Sequence, residues 1–323
     1  MSLLEVKKLK TYFPVSGGIL HAVDNVSFSI NKGQTLGVVG ESGCGKSTLG
    51  RSIMRLLQPN SGQILFEGTD IVSCSKKEFK SIRPQIQMIF QDPYASLDPR
   101  MSVSQLIAEP VKSLGGLKDK QAIQRRVHEL MDLVGLASRL ELSYPHELDG
   151  GRRQRIGIAR ALASEPKFIV CDEPVSALDV SIQAQVLNLL QDLQKEKSLT
   201  YMFITHDMSV VKHISDEIVV MYLGQVVEKC SSEELFSHTI HPYAVALLSA
   251  IPSTNLHKDR ERILLTGELA SPINPAPCCR FAKRCPYATG KCFQEEPKLR
   301  EVSSNHFVAC HYAESFADVS MRK

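Results

Sequence analysis

Nine consecutive residues, Gly40-Glu41-Ser42-Gly43-Cys44-Gly45-Lys46-Ser47-Thr48, follow the pattern GxxxxGK(S/T). The chemistry offered by that spacing is phosphate binding. Glycines let backbone N–H groups converge on an anion, Lys46 meets the β- and γ-phosphates, and the Ser47 hydroxyl can ligate Mg²⁺. Two further apolar runs end in chemistry. Phe168-Ile169-Val170-Cys171 delivers Asp172, suited to holding Mg²⁺, and Glu173, suited to polarising a water; Tyr201 to Thr205 leads into His206. A fourth stretch, LDGGRRQR (Leu148 to Arg155), has the glycines of an anion grip opening a helix, yet Asp149 stands where the anion would go.

The elements that must position these residues follow from hydrophobic periodicity. Leu3 to Lys10 and Ala22 to Ile30 alternate apolar and polar side chains around Gly17-Gly18, which predicts antiparallel strands. Thr35 to Gly40, Phe168 to Asp172 and Tyr201 to Thr205 are continuously apolar, as strands buried on both faces are. Each precedes a helical pattern, so the fold class is α/β with a mostly parallel sheet. Ser102 to Leu142 reads as a helical insertion broken at Gly115-Gly116. Beyond about Ser249 the texture turns to cysteines, polar residues and prolines (Pro252, Pro272, Pro275, Pro277), which predicts a boundary and a small metal-stapled tail.

Composition bounds the function. A chain of 323 residues with 43% hydrophobic content can bury one large core and an appendage. Its 38 basic and 35 acidic side chains nearly balance, so no polyanion-binding surface is indicated and nucleic acid is not an expected partner. No long apolar run and no signal-peptide pattern is present, which predicts a cytoplasmic location with any membrane role exercised through a partner.

At these residues the chain resembles the ATP-binding subunit of an ATP-binding-cassette (ABC) transporter. The resemblance extends to Gln91 in IFQDP, matching the glutamine loop that senses Mg²⁺ and the membrane partner. It includes Ser176-Ala177-Leu178-Asp179, matching the loop that crosses to a second cassette, and His206, matching the switch histidine. It implies ATP and Mg²⁺ as ligands and an ATP hydrolase with Glu173, His206 and Gln91 as catalytic residues. Tyr12 falls where the family stacks a ring on adenine, joining Gly40, Ser42, Gly43, Cys44, Gly45, Lys46, Ser47 and Thr48 as ATP-binding residues, with Ser47, Gln91 and Asp172 at the cation. LDGGRRQR occupies the place of the signature, usually LSGGQRQR, so Asp149, Gly150, Gly151 and Arg152 would cap a γ-phosphate bound by a partner cassette. An ionised aspartate cannot donate as the usual serine does, which predicts an asymmetric pair of ATP sites, the one containing Asp149 being slow.

The segments QMIFQDPYASLDPRMSV and YPHELDGGRRQRIGIARAL look like the subfamily importing dipeptides, oligopeptides or nickel chelates. That resemblance implies a second, non-identical ATPase subunit, two transmembrane permease subunits, an extracytoplasmic substrate-binding protein, and a place on the cytoplasmic face of the membrane. Peptide is preferred over nickel. A soluble ABC ATPase acting on DNA or ribosomes is the alternative, but such proteins usually carry two cassettes or a long coiled-coil arm. The domains implied are a cassette at 1–250, with a helical subdomain at about 92–160, and a cysteine-rich domain at 251–323.

Of nine cysteines, five lie in the last fifth of the chain. Cys279, Cys285, Cys292 and Cys310 could supply four thiolates to zinc or to a 4Fe–4S cluster, and spacing does not choose. Resemblance to the peptide-importer tail favours the cluster, giving the expectation of a small iron–sulfur domain, with Cys278 a spectator.

Overall fold

The computed structural model describes residues 2–114, 116–251, 263–265, 267 and 271–320. Gly115 and Pro252, expected as breakers, lie outside the described residues. In chain order the elements are β1 (Ser2–Val15), β2 (Gly18–Asn31), β3 (Thr35–Val39), α1 (Lys46–Ile53), β4 (Ser61–Phe66), β5 (Thr69–Asp70), α2 (Lys76–Ile82) and β6 (Ile86–Ile89). Next come α3 (Pro93–Ser96), α4 (Val103–Ser113), α5 (Lys120–Leu133), α6 (Gly150–Leu162), β7 (Phe168–Asp172), α7 (Val180–Lys197) and β8 (Thr200–Ile204). The remainder is α8 (Met208–Ile214), β9 (Glu217–Tyr222), β10 (Gln225–Ser231), α9 (Ser232–Ser237), α10 (Pro242–Ser249), β11 (Arg300–Ser303), β12 (His306–Val308) and α11 (Ala313–Ser320).

The chain divides into two compact units, one built mainly from 73–203 and one from 2–30, 35–72 and 204–323. In the first, strands run β8-β7-β6, with β6 and β7 parallel. Helices α3, α4 and α5 pack on α6. Caps set their starts: Ser102 and Gln105 form a capping box at α4, and the Asp119 carboxylate accepts from the Ala122 amide at α5. In the second unit a four-stranded sheet, β2-β1-β4-β5, has antiparallel β1/β4 and β4/β5 pairs. A further run, β11-β12-β10-β9-β3, joins parallel β3/β9 to antiparallel β9/β10, β10/β12 and β12/β11. All five residues of β3, β7 and β8 are buried, which is why none of the three shows alternation.

The C-terminal segment corrects the expectation of a separate iron–sulfur domain. Strands β11 and β12 extend the second unit's sheet through β10, and Phe281 sits in that unit's core against Tyr222 and Tyr243, with ring centroids 5.3 and 5.5 Å away. Glu228 on β10 is fully buried, accepting from the Ile240 and His241 amides at 2.9 Å each, and it pairs at 2.7 Å with His306 Nε2, also fully buried. This segment is therefore a layer of the second unit's own core.

The expected 4Fe–4S cluster is overturned as well. Among the described residues, the donors that gather within 4.8 Å of one another are Glu228, Cys230 and His306, an incomplete set without a second thiolate, and not Cys279, Cys285, Cys292 and Cys310. Those four thiols border a small pocket shared with Phe281, Tyr287 and Phe316. Burial pushes the Cys279 thiol up to about 12 and raises those of Cys285 and Cys310.

Candidate functional site

Each of α2 to α10 begins at a residue whose side chain accepts from the helix's first amides. Helix α1 does not: its cap is Gly45, with no side-chain acceptor and no acidic residue in the first turn. No cap side chain and no first-turn carboxylate competes with an anion for the positive end of its dipole. Gly45 has φ +103°, and a Cβ there would run into the Ala22 carbonyl, so no other residue fits. Lys46 is buried to 4% exposure, its amine donating to the carbonyls of Gly40 (2.8 Å) and Glu41 (2.9 Å). Burial raises the Cys44 thiol, which lies 3.8 Å from the Lys46 amine and packs as a neutral group.

In the same unit, Tyr12 forms one wall of a cleft of about 330 Å³ with Lys10, His21, Asp24, Pro277 and Arg280. Its ring stacks on His21 at 3.9 Å, and its hydroxyl donates to Asp24 at 2.5 Å. Burial alone would raise the Asp24 carboxyl, but hydrogen bonds from Tyr12 and His21 and the charge of Arg280 outweigh it and hold it below the usual range. Sequence reasoning did not find Asp24, Arg280, or the Arg284 that grips Glu41 of the glycine loop at 2.7 and 3.0 Å. The available signal was a pair of arginines in CRFAKRC beside an aromatic residue, which is hard to separate from the cysteine pattern. His206 is exposed in the turn between β8 and α8, where Asp207 caps α8 through the Ser209 amide at 2.8 Å.

In the other unit, Asp172 closes β7 with 1% exposure, and Glu173 follows with φ +46°. A left-handed glutamate costs energy and persists where its surroundings fix it. Here Gln91 Nε2 donates to Glu173 Oε2 at 2.9 Å, leaving the amide oxygen as the end able to meet a cation. The oxygen donors of this unit, Gln91 and Asp172, are of the hard type that fits Mg²⁺. The loop after Glu173 is held by Ser176 Oγ donating to the Glu173 carbonyl (3.1 Å) and by Asp179 capping α7 through Ile182 N at 3.0 Å.

Asp149 caps α6. Its Oδ1 accepts from Arg152 N at 2.8 Å, and its Oδ2 lies 3.4 Å from Arg152 Nε. The carboxylate thus fills the first turn of its own helix. Gly151 is required by packing, since a Cβ would stand 2.6 Å from Ile182 Cγ2 at the start of α7. Beside Asp149 opens a cleft of about 290 Å³ lined by Arg139, Arg152 and Arg155.

Residues 23–176 match the ABC transporter family, and residues 227–292 match the C-terminal region of oligopeptide/dipeptide transporters. Along 96% of its length the chain is 51% identical to the oligopeptide transport ATP-binding protein AppF of Bacillus subtilis, covering 97% of that protein. The chain belongs to the ATP-binding subunits of the peptide and nickel ABC importers. It is likewise 50% identical to OppF, the oligopeptide transport ATP-binding protein of Salmonella typhimurium, over 95% of both chains. Among solved structures it resembles the dimeric post-hydrolysis state of the cassette MJ0796 bound to ADP and Pi, with TM-score 0.65 and 27% identity over 71% of this chain and 98% of that one. As a member of this ABC family the chain binds and hydrolyses ATP. No helix among the described residues is long and apolar enough to cross a membrane.

Proposed function

We propose that this chain powers import of dipeptides or oligopeptides, working as one of two non-identical cassettes beneath a pair of permease subunits fed by an extracytoplasmic binding protein. The observation that carries the reading is the glycine-capped start of α1 behind its loop, in a chain half identical to oligopeptide transport ATP-binding proteins. In this reading Lys46 and the α1 amides hold the β- and γ-phosphates. Ser47, Asp172 and Gln91 hold Mg²⁺, which neutralises phosphate charge when bound. Glu173 orients the attacking water, His206 completes the closed site, and Tyr12 supports the base. Val180, 82% exposed at the start of α7, and the exposed Ser176 and Ala177 give the cassette a face suited to a partner cassette.

The test is ATP-driven uptake of a labelled oligopeptide into vesicles carrying the assembled transporter. Uptake and ATP turnover should fall together in Glu173→Gln, by about two to four orders of magnitude, with nucleotide still bound. Turnover that survives the substitution removes Glu173 from the chemistry. Uptake of a nickel chelate in place of peptide reassigns the cargo.

A further inference from the structure

Two arginines on the stretch Cys279–Cys285 reach different places, Arg284 the glycine loop through Glu41 and Arg280 the cleft beside Tyr12 through Asp24. Arg284, its side chain 8% exposed, makes a two-pronged pair with Glu41, the second residue of the glycine loop, and also reaches the Tyr222 hydroxyl at 3.5 Å. Glu41 is held at its other end too, its amide donating to the Tyr243 hydroxyl at 2.9 Å. Arg280, 6% exposed, pairs with Asp24 and donates to the Leu223 carbonyl, and Asp24 in turn holds the Tyr12 hydroxyl. Between the two arginines Phe281 anchors the stretch in the core. The same C-terminal segment also contributes Pro275, Pro277 and Glu296 to the cleft beside Tyr12.

We infer that Arg280 and Arg284 are positioning residues for nucleotide, Arg284 setting the phosphate loop through Glu41 and Arg280 setting the base platform through Asp24 and Tyr12. The inference rests on the reading of Gly40–Thr48 as the phosphate loop and Tyr12 as the base support. Its physical basis is shielding. Exposed ion pairs contribute little, but paired, forked guanidinium contacts out of water fix geometry as well as charge. Glu41 follows Gly40, whose φ is +153°, so a tether on Glu41 governs where the next loop amides point. Arg280 acts farther from the phosphates, at the end of the cradle where the base would lie.

The two arms therefore separate with two ligands, Mg·ATP and inorganic tripolyphosphate, titrated against the full-length protein. Arg284→Gln should weaken both roughly tenfold, as loss of a shielded charged hydrogen bond would. Arg280→Gln should weaken ATP comparably and leave tripolyphosphate at wild-type affinity. Turnover at saturating ATP should be retained, so that the change falls on KM. Arg284→Lys should recover only part of the loss, Glu41→Gln should reproduce it, and the pair Arg284→Gln with Glu41→Gln should add nothing further. Wild-type affinity for both ligands in both arginine variants overturns the inference. So does an equal loss of both ligands in both variants alongside a lowered Tm, the mark of a merely structural role. Lys46→Ala is the control for the parent reading: if it leaves both ligands bound, the phosphate loop itself is misassigned.

Discussion

Replacing Asp149 with serine should tighten the hold of α6 on a phosphate presented by a partner cassette, and the structure sets the size of the effect. The carboxylate now does two things: it caps α6 through the Arg152 amide at 2.8 Å, and it places a negative charge at the helix start. Serine keeps the first role, so Asp149→Ser should leave Tm nearly unchanged, whereas Asp149→Ala should cost about 1 kcal/mol. For the second role, a phosphate within about 4 Å of the carboxylate is repelled by about 1 kcal/mol at the dielectric of water and about 4 kcal/mol in a half-buried site. The side chain is 57% exposed and Arg152 Nε stands 3.4 Å away, so the low end applies. About 1 kcal/mol corresponds to roughly fivefold tighter binding. The assay is nucleotide occupancy and turnover of the assembled transporter, measured at low and high salt. The gain should shrink as salt rises, because the charge is exposed. If Asp149→Ser leaves occupancy and turnover unaltered at both salt concentrations, alone and combined with Arg152→Gln, the argument from Asp149 to unequal ATP sites is refuted.

Gly45→Ala should abolish ATP binding, since the cap needs φ +103° and the Ala22 carbonyl blocks a Cβ; equilibrium binding of a fluorescent ATP analogue checks it, and normal affinity would show the loop to be adaptable. Phe281→Ala should lower the stability of the whole cassette by about 3–5 kcal/mol, read from denaturant unfolding; a small loss would mean that the C-terminal layer is peripheral to the core. His241 should impose an acid limit. Burial pushes its imidazole from 6.5 down to about 3, so between those values the unfolded chain binds more protons and stability falls as pH falls below about 6.5. His241→Asn, which keeps an acceptor for the Tyr243 amide now met by Nδ1 at 3.1 Å, should flatten that slope; an unchanged profile assigns the acid limit elsewhere.

Much of this was legible from residue order because the signals are local. A five-residue apolar run, a glycine loop and a helix specify β3 and α1 without reference to the rest of the chain, and Asp149 announces itself as a cap by lying before Gly150-Gly151. The C-terminal segment misled for the converse reason. Cysteine spacing advertises metal, but whether thiols are ligands or filler depends on where Phe281 and His306 pack, and both pack against residues many positions away, Tyr222 and Glu228. Arg284 and Glu41 are separated by 243 residues, and no periodicity encodes such a pair. The left-handed Glu173 is equally silent in sequence, because its φ is imposed by surroundings and not by residue type.

The buried pair of Glu228 and His306 orders events during synthesis. Strand β10 emerges from the ribosome with one open edge, and that edge is covered and Glu228 gains its histidine only when β12 follows, His306 lying 78 residues after Glu228. Until then a nascent cassette has its phosphate loop but lacks the strand that covers β10. An open edge of this kind invites pairing with other chains. Chaperone occupancy should therefore persist until β12 has emerged, and fragments released before that point should be cleared before they can consume ATP.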